Sequence, residues 1–307
     1  MSKIFIAGQE GMVGQAIYNL FKKNNYNIID CKRKNLDLTC QEKVNEWFKK
    51  NKPSIVINAA GRVGGILDNC SYQADYIYIN TMIGFNLLKA ALNNNVTRFI
   101  NLGSACSYPK ETKQPIKEDY LLSSYLEKTN EGYAIAKISI IKYCEYIKNF
   151  YGKDYVSLQP ANLYGFGDNF DLKSSHVIPA LIRKFHRAKV EKDKKVEIWG
   201  SGLAKREFMH VNDLADAVLF CLKKNKFSFS YANVSGPDYL SIKQLSLIIK
   251  DIVGFEGRIF FNKKYPDGVK VRKLSNQLLK RLGWSSKIKL KNGLKDYYDY
   301  FKTLKIK

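Results

Sequence analysis

The chain has 307 residues, 45% hydrophobic and 26% charged, with a formal net charge of +23. That balance excludes a disordered or low-complexity polypeptide and suffices for a full core. No run approaches the roughly 20 consecutive apolar residues of a membrane span, and Met1-Ser2-Lys3 leads straight into an apolar run without a hydrophobic leader, so a cytoplasmic protein with no membrane association is expected.

The first half alternates short apolar runs with helical periodicity. Lys3–Ala7 reads as a buried strand, residues 11–24 as a helix, and Tyr26–Asp30 as a short apolar run. A helix over 41–51 precedes the strand Pro53–Asn58, and a long helix over 73–95 precedes the strand Arg98–Leu102. A helix over 133–151 and a strand over Tyr155–Gln159 complete the set. Apolar runs of this length alternating with helices predict parallel βαβ units, hence an α/β fold with a doubly wound parallel sheet over residues 1–160. Beyond Pro160 the pattern loosens. A helix over 176–190, a strand over Val196–Trp199, a helix from near Val211, a strand over Tyr231–Val234 and helices over 242–253 and 290–304 predict a smaller α/β lobe. It covers mainly residues 161–307 and is interleaved with the first.

Two features narrow the chemistry by exclusion. The six cysteines, Cys31, Cys40, Cys70, Cys106, Cys144 and Cys221, contain no C-x-x-C pair, and the three histidines form no zinc-type cluster with them, so no metal site is expected. The positive charge suggests polyanionic partners. Its lysines are nevertheless spread in pairs such as Lys22-Lys23 and Lys223-Lys224, which reads as a solvated surface rather than a nucleic-acid footprint.

Three motifs carry chemistry. Gly8-Gln9-Glu10-Gly11-Met12-Val13-Gly14 lies between a strand and a helix. Its glycines permit a tight turn and close backbone approach, and the helix N-terminus favours a pyrophosphate. Tyr133 and Lys137 stand four residues apart on one helix, hence on one face. An ammonium there is expected to lower the phenol and make it a general acid. Leu102-Gly103-Ser104-Ala105-Cys106 leaves the fourth strand at its carboxyl end, where parallel sheets hold ligands.

In this order the three motifs resemble the extended short-chain dehydrogenase/reductases. Arg62-Val63-Gly64-Gly65-Ile66, Thr129–Lys137, Ala161–Gly165, Ser175–His186, Trp199–Gly202, Arg206–Val211, Pro266-Asp267-Gly268 and Arg272-Lys273-Leu274 narrow the resemblance to the GDP-L-fucose synthase group over essentially the whole chain. The resemblance implies a Rossmann fold, a GDP-4-keto-sugar substrate, a nicotinamide cofactor and a homodimer built on the long helices near 73–95 and 133–151. It assigns Ser104, Tyr133 and Lys137 to reduction of the C4 ketone, and Cys106 and His176 to proton exchange at C3 and C5. The cofactor would be held by Gly8, Gly11, Met12, Val13, Gly14, Asp30, Arg33, Tyr133 and Lys137. Lys184 and Arg206, with Arg183 adjacent, match diphosphate-binding positions, and Asn162 and Trp199 fall in the nucleotide-sugar site. Part of the basic charge then has a use, and no nucleic acid is expected.

The departures are specific. Glu10 stands where the family has an arginine facing the NADP 2′-phosphate, and Asp30 is placed to bind a free ribose 2′-hydroxyl, as in NAD enzymes. Arg33, between Lys32 and Lys34, matches a second phosphate-binding arginine and favours NADP(H) over NAD(H). Ala105, Gly132 and the Leu203-Ala204-Lys205 segment also differ from the family. The last leaves a heptose substrate open, and a stand-alone C4 reductase remains the alternative to a combined epimerase and reductase.

Overall fold

The computed structural model describes residues 2–265, 267–304 and 306; Pro266 of the expected Pro266-Asp267-Gly268 motif lies outside them. The first lobe begins with β1 (Ile4–Ala7), α1 (Met12–Lys23), β2 (Ile28–Ile29), α2 (Gln41–Asn51), β3 (Ile55–Asn58), α3 (Ile66–Ser71), α4 (Gln73–Asn93) and β4 (Arg98–Leu102). It continues with α5 (Glu131–Tyr151) and β5 (Asp154–Pro160). The second stretch runs β6 (Asn162–Tyr164), α6 (Val177–Val190), β7 (Lys195–Trp199), β8 (Lys205–His210), α7 (Val211–Leu222) and β9 (Tyr231–Val234). After these come β10 (Asp238–Ser241), α8 (Ile242–Val253), β11 (Arg258–Asn262), β12 (Val271–Arg272), α9 (Gln277–Arg281) and α10 (Leu290–Thr303).

Six strands form a parallel sheet in the order β2-β1-β3-β4-β5-β9. The all-apolar Ile4–Ala7 strand is buried on both faces, as helices on either side of a parallel sheet require. A polar row crosses the middle of the sheet: Asn58 Nδ2 donates to Asn101 Oδ1 at 3.0 Å, and Asn101 Nδ2 donates to Ser157 Oγ at 3.2 Å. These buried amides are satisfied only in one register, so they pin β3, β4 and β5 against slippage.

The chain returns to the first lobe after residue 160. β9 closes the sheet beside β5, and Leu214, Val218, Leu279 and Trp284 pack into the same core as Ile4 and Ile57. A second core gathers α6, α8 and α10 around Phe185, Leu245, Leu294 and Phe301. β8 is its spine, with β10 antiparallel on one edge and β6 and β12 parallel along the other. The sequence reading missed β8 because Lys205-Arg206-Glu207 looks like a solvated charge run. Pairing on both edges instead buries Glu207 to 3% exposure. It also missed β11, which pairs in parallel with β7.

Candidate active site

The glycine loop is built by backbone contact. Gly8 adopts φ +80°, and Gly11 N–H donates to Gly8 O at 3.0 Å. A Cβ on Gly8 would meet the backbone of Ala60 at 2.8 Å, and one on Gly14 would strike the Gly8 carbonyl. At Gly11 nothing comes closer than 3.5 Å, so that face is open. Gly11 caps α1 without a side-chain hydrogen bond, leaving backbone N–H groups of the first turn, from Met12 and Val13 onward, available to a pyrophosphate. The cradle therefore fits a dinucleotide.

Two side chains of that loop hold the segment after β2. Gln9 Oε1 accepts from Cys31 N at 3.2 Å, and Glu10 Oε2 accepts from Arg33 N at 2.8 Å. Asp30, Lys32, Arg33 and Lys34 are exposed beside it. Glu10 is thus engaged with the start of the 3₁₀ turn Arg33–Asn35, beside three consecutive cations.

The expected catalytic residues Ser104, Tyr133 and Lys137 lie together near the carboxyl end of β4. Ser104 N donates to Gln159 Oε1 at 2.9 Å, and Ser104 Oγ accepts from Cys106 N at 3.1 Å, capping the 3₁₀ turn Ala105–Ser107. The Tyr133 hydroxyl neighbours Ser104. One turn along α5, Lys137 is buried; its Nζ donates to Leu102 O at 3.0 Å and stands 5.6 Å from the centre of the Tyr133 ring. The turn is clamped from the other lobe by Arg272, 7% exposed, whose guanidinium donates to the carbonyls of Ala105 and Pro109. Asn130 Nδ2 donates to Cys106 Sγ at 3.3 Å.

Burial raises Tyr133 well above an ordinary phenol, with Cys106 adding to the rise and the neighbouring Ser104 hydroxyl opposing it. Burial pulls the Lys137 ammonium down to about 8. This corrects the expected lowering of the phenol: Lys137 stands over the ring face and is engaged by a carbonyl, so desolvation dominates. Burial also lowers Arg206, and the neighbouring Arg272 adds to that.

The Arg62–Ile66 loop forms the rim. Asn80 holds Arg62 from both sides, its Oδ1 accepting from Arg62 N at 3.0 Å and its Nδ2 donating to Arg62 O at 3.1 Å. The Arg62 guanidinium pairs with Asp75 at 2.8 Å and lies 4.9 Å from the Tyr76 ring centre. Tyr76 donates to Asp68 and meets Tyr133 edge-on, with centroids 6.0 Å apart. Gly65 N donates to Ser174 O at 2.8 Å, which brings the His176 segment beside this loop. His176 is the N-cap residue of α6; its side chain caps no backbone group and is exposed, yet enclosure by surrounding protein lowers its imidazole. His186 and His210 instead bond Tyr298 and Asn212 N within the second lobe.

The remaining expected residues divide. Lys184 Nζ lies 4.9 Å from the Trp199 ring and donates to Glu197 O at 3.1 Å, and Trp199 stacks on Tyr265 with centroids 4.5 Å apart. Asn162 Nδ2 donates to Glu207 O at 3.0 Å, beside Arg206 on β8. Arg183 turns to the Phe170 carbonyl at 3.0 Å, a packing contact. Sequence reasoning gave no role to Asn130 or Arg272, although both lie inside quoted motifs. Only the folded chain brings them to Cys106 and its turn.

Comparison with known proteins places these observations. Residues 4–234 match the family model of the NAD dependent epimerase/dehydratase family. The chain is 42% identical over 301 residues to GDP-L-fucose synthase 1 of Arabidopsis thaliana, covering 98% of this chain and 93% of that one. Among solved structures, a GDP-6-OMe-4-keto-L-xylo-heptose reductase from Campylobacter jejuni superposes with TM-score 0.93 at 35% identity, over 99% of this chain and 98% of that one. A GDP-mannoheptose C4 reductase from the same organism, with NADP bound, gives TM-score 0.89 at 34% identity, over 98% of each chain.

Proposed function

The chain belongs to the NAD dependent epimerase/dehydratase family, and we propose that it epimerises a GDP-4-keto-6-deoxy-sugar at C3 and C5 and then reduces the C4 ketone. It is an NADP(H)-dependent oxidoreductase of the GDP-L-fucose synthase type, and its product is GDP-L-fucose or a closely related GDP-sugar. The observation that carries this reading is the single turn that ties Ser104 to Cys106 by a 3.1 Å hydrogen bond. The carbonyl-polarising hydroxyl and the thiol are thereby held over one crevice.

The ketone acidifies both neighbouring carbons, so epimerisation precedes reduction. One of the pair Cys106 and His176 removes the C–H proton, and the electron pair moves into the ring as an enolate. The other returns a proton to carbon from the opposite face. Ser104 and Tyr133 then hydrogen-bond the C4 oxygen, and Tyr133 delivers its proton as the alkoxide forms. The nicotinamide, when bound, supplies the hydride to C4. Lys137 would hold the nicotinamide ribose and favours ionised Tyr133 once the phenol has given up its proton. Gly8, Gly11, Met12, Val13 and Gly14 would cradle the pyrophosphate, and Asp30 and Arg33 would hold the adenosine ribose. Arg206 and Lys184 bind the substrate diphosphate with Arg183 adjacent, and Trp199 and Asn162 fix the nucleotide.

Turnover of GDP-4-keto-6-deoxy-D-mannose with NADPH in deuterated water, read by NMR, tests the reading. A fucose-configured product carrying deuterium at C3 and C5 is expected. A reduced, unepimerised product would leave a stand-alone reductase. The likeness to the Campylobacter heptose reductase favours a GDP-4-keto-heptose as the second substrate to try.

The same reading makes the enzyme a cytoplasmic homodimer with no nucleic-acid role. Tyr78 and Phe85 on α4, with Tyr146 and Phe150 on α5, form an exposed aromatic face suited to a second copy. No helix among the described residues is long and apolar enough to cross a membrane.

A further inference from the structure

Cys106 is half-buried, and its sulfur accepts a hydrogen bond from Asn130 Nδ2 at 3.3 Å. Asn130 is the N-cap of the 21-residue helix α5, and its own side chain caps no backbone group of that helix. Its amide is committed to the sulfur instead, while its Oδ1 is buried without a hydrogen-bond partner. An N-cap amide committed to sulfur fixes where that sulfur sits relative to the first turn of α5. The turn that carries Cys106 is held from the other side as well, by the Arg272 guanidinium on the Ala105 carbonyl.

We propose that Asn130 is a positioning residue for proton exchange: its amide holds the Cys106 sulfur at the start of α5, in the place from which it reaches the sugar carbon. This rests on the reading of Cys106 as one of the epimerising pair. It also explains how one helix serves both half-reactions. Asn130 at the start of α5 sets the thiol, and Tyr133 three residues later sets the phenol, so the two cannot drift apart.

The test follows deuterium wash-in at C3 and C5 and hydride transfer in the full chain with NADP(H) present. Asn130→Ala removes the amide; Asn130→Ser keeps a competent helix cap and a short donor. Wash-in should fall about tenfold in Asn130→Ala and less in Asn130→Ser, hydride transfer should fall much less than wash-in, and NADP⁺ affinity should stay within twofold. Unchanged wash-in in Asn130→Ala, in a protein of unchanged melting temperature, overturns the proposal. Full wash-in in Cys106→Ala instead overturns the reading of Cys106 on which the proposal rests.

Discussion

The floor and the rim of the crevice are built differently. Tyr133 and Lys137 sit on α5, whose other residues Ala134 and Ala136 are fully buried in the first lobe. Ser104 is fixed from both sides, by Gln159 on β5 and by the turn it caps. The rim instead leaves Val63 61% and Leu203 71% exposed, and Arg62 is held by an ion pair with a partner that is itself exposed. Dense packing fixes position to tenths of an ångström, whereas exposed ion pairs contribute little. On the proposed roles, reductive chemistry sits where geometry cannot relax, and sugar discrimination where it can. Substitutions on the floor should cost catalysis by orders of magnitude; those at the rim should redistribute substrates and cofactors by small factors.

Tyr133→Phe is the sharpest test of the floor. It removes one hydroxyl, and the ring keeps its edge contact with Tyr76. Reduction should fall about 10²–10⁴-fold, with NADP⁺ affinity within twofold by fluorescence titration. Near-normal turnover would mean that another group delivers the proton. Cys106→Ala comes next: deuterium wash-in at C3 and C5 should fall about a hundredfold or more, and hydride transfer much less. Equal losses in both would mean that the thiol supports Ser104 rather than exchanging protons.

Arg272→Gln probes the clamp between the lobes. The guanidinium is buried, and its loss strands the Ala105 and Pro109 carbonyls. That should cost about 1–3 kcal/mol of stability and lower kcat about tenfold with KM little changed. Arg272→Lys should restore part of kcat, since an ammonium still reaches one carbonyl. A melting temperature and kcat both unchanged would show that the turn holds its shape unaided.

How much of this was legible depends on how local the cause is. The apolar runs around β1, β3 and β4 and the Tyr133–Lys137 spacing are short-range signals, and both the strands and the shared face follow from them. β8 was illegible because burial of Glu207 depends on partners 28 and 67 residues away, the Ser235 hydroxyl and the Leu274 N–H. Those partners offset the desolvation that pushes its carboxyl up to about 7. Gly132, where the family has proline, is likewise explained only by the fold. Its N–H donates to Gln73 Oε1 at 3.0 Å, and a Cβ there would sit 2.6 Å from the Gln73 carbonyl. Proline would forfeit that donor, so Gly132 belongs to the docking of α5 on α4.

Glu10 gives the smallest predicted effect and the finest discrimination between rim and floor. Its sequence position suggests repulsion of a 2′-phosphate, yet its carboxylate is spent on Arg33 N at 2.8 Å, and the proposed cofactor is NADP(H). Two consequences of Glu10→Arg oppose each other: a cation is added near the phosphate, and the acceptor that orients Lys32, Arg33 and Lys34 is lost. Glu10→Gln separates them, because the amide oxygen still accepts from Arg33 while the charge is gone. If charge dominates, both variants should raise the ratio of kcat/KM for NADPH over NADH, Glu10→Arg about fivefold and Glu10→Gln about twofold, as expected for exposed charges. If orientation dominates, Glu10→Arg should lower the ratio while Glu10→Gln leaves it unchanged. The geometry favours the first outcome: Arg33 begins a 3₁₀ turn that closes on its own backbone, with Asn35 N donating to Lys32 O at 2.9 Å, and the cations survive loss of the Glu10 contact.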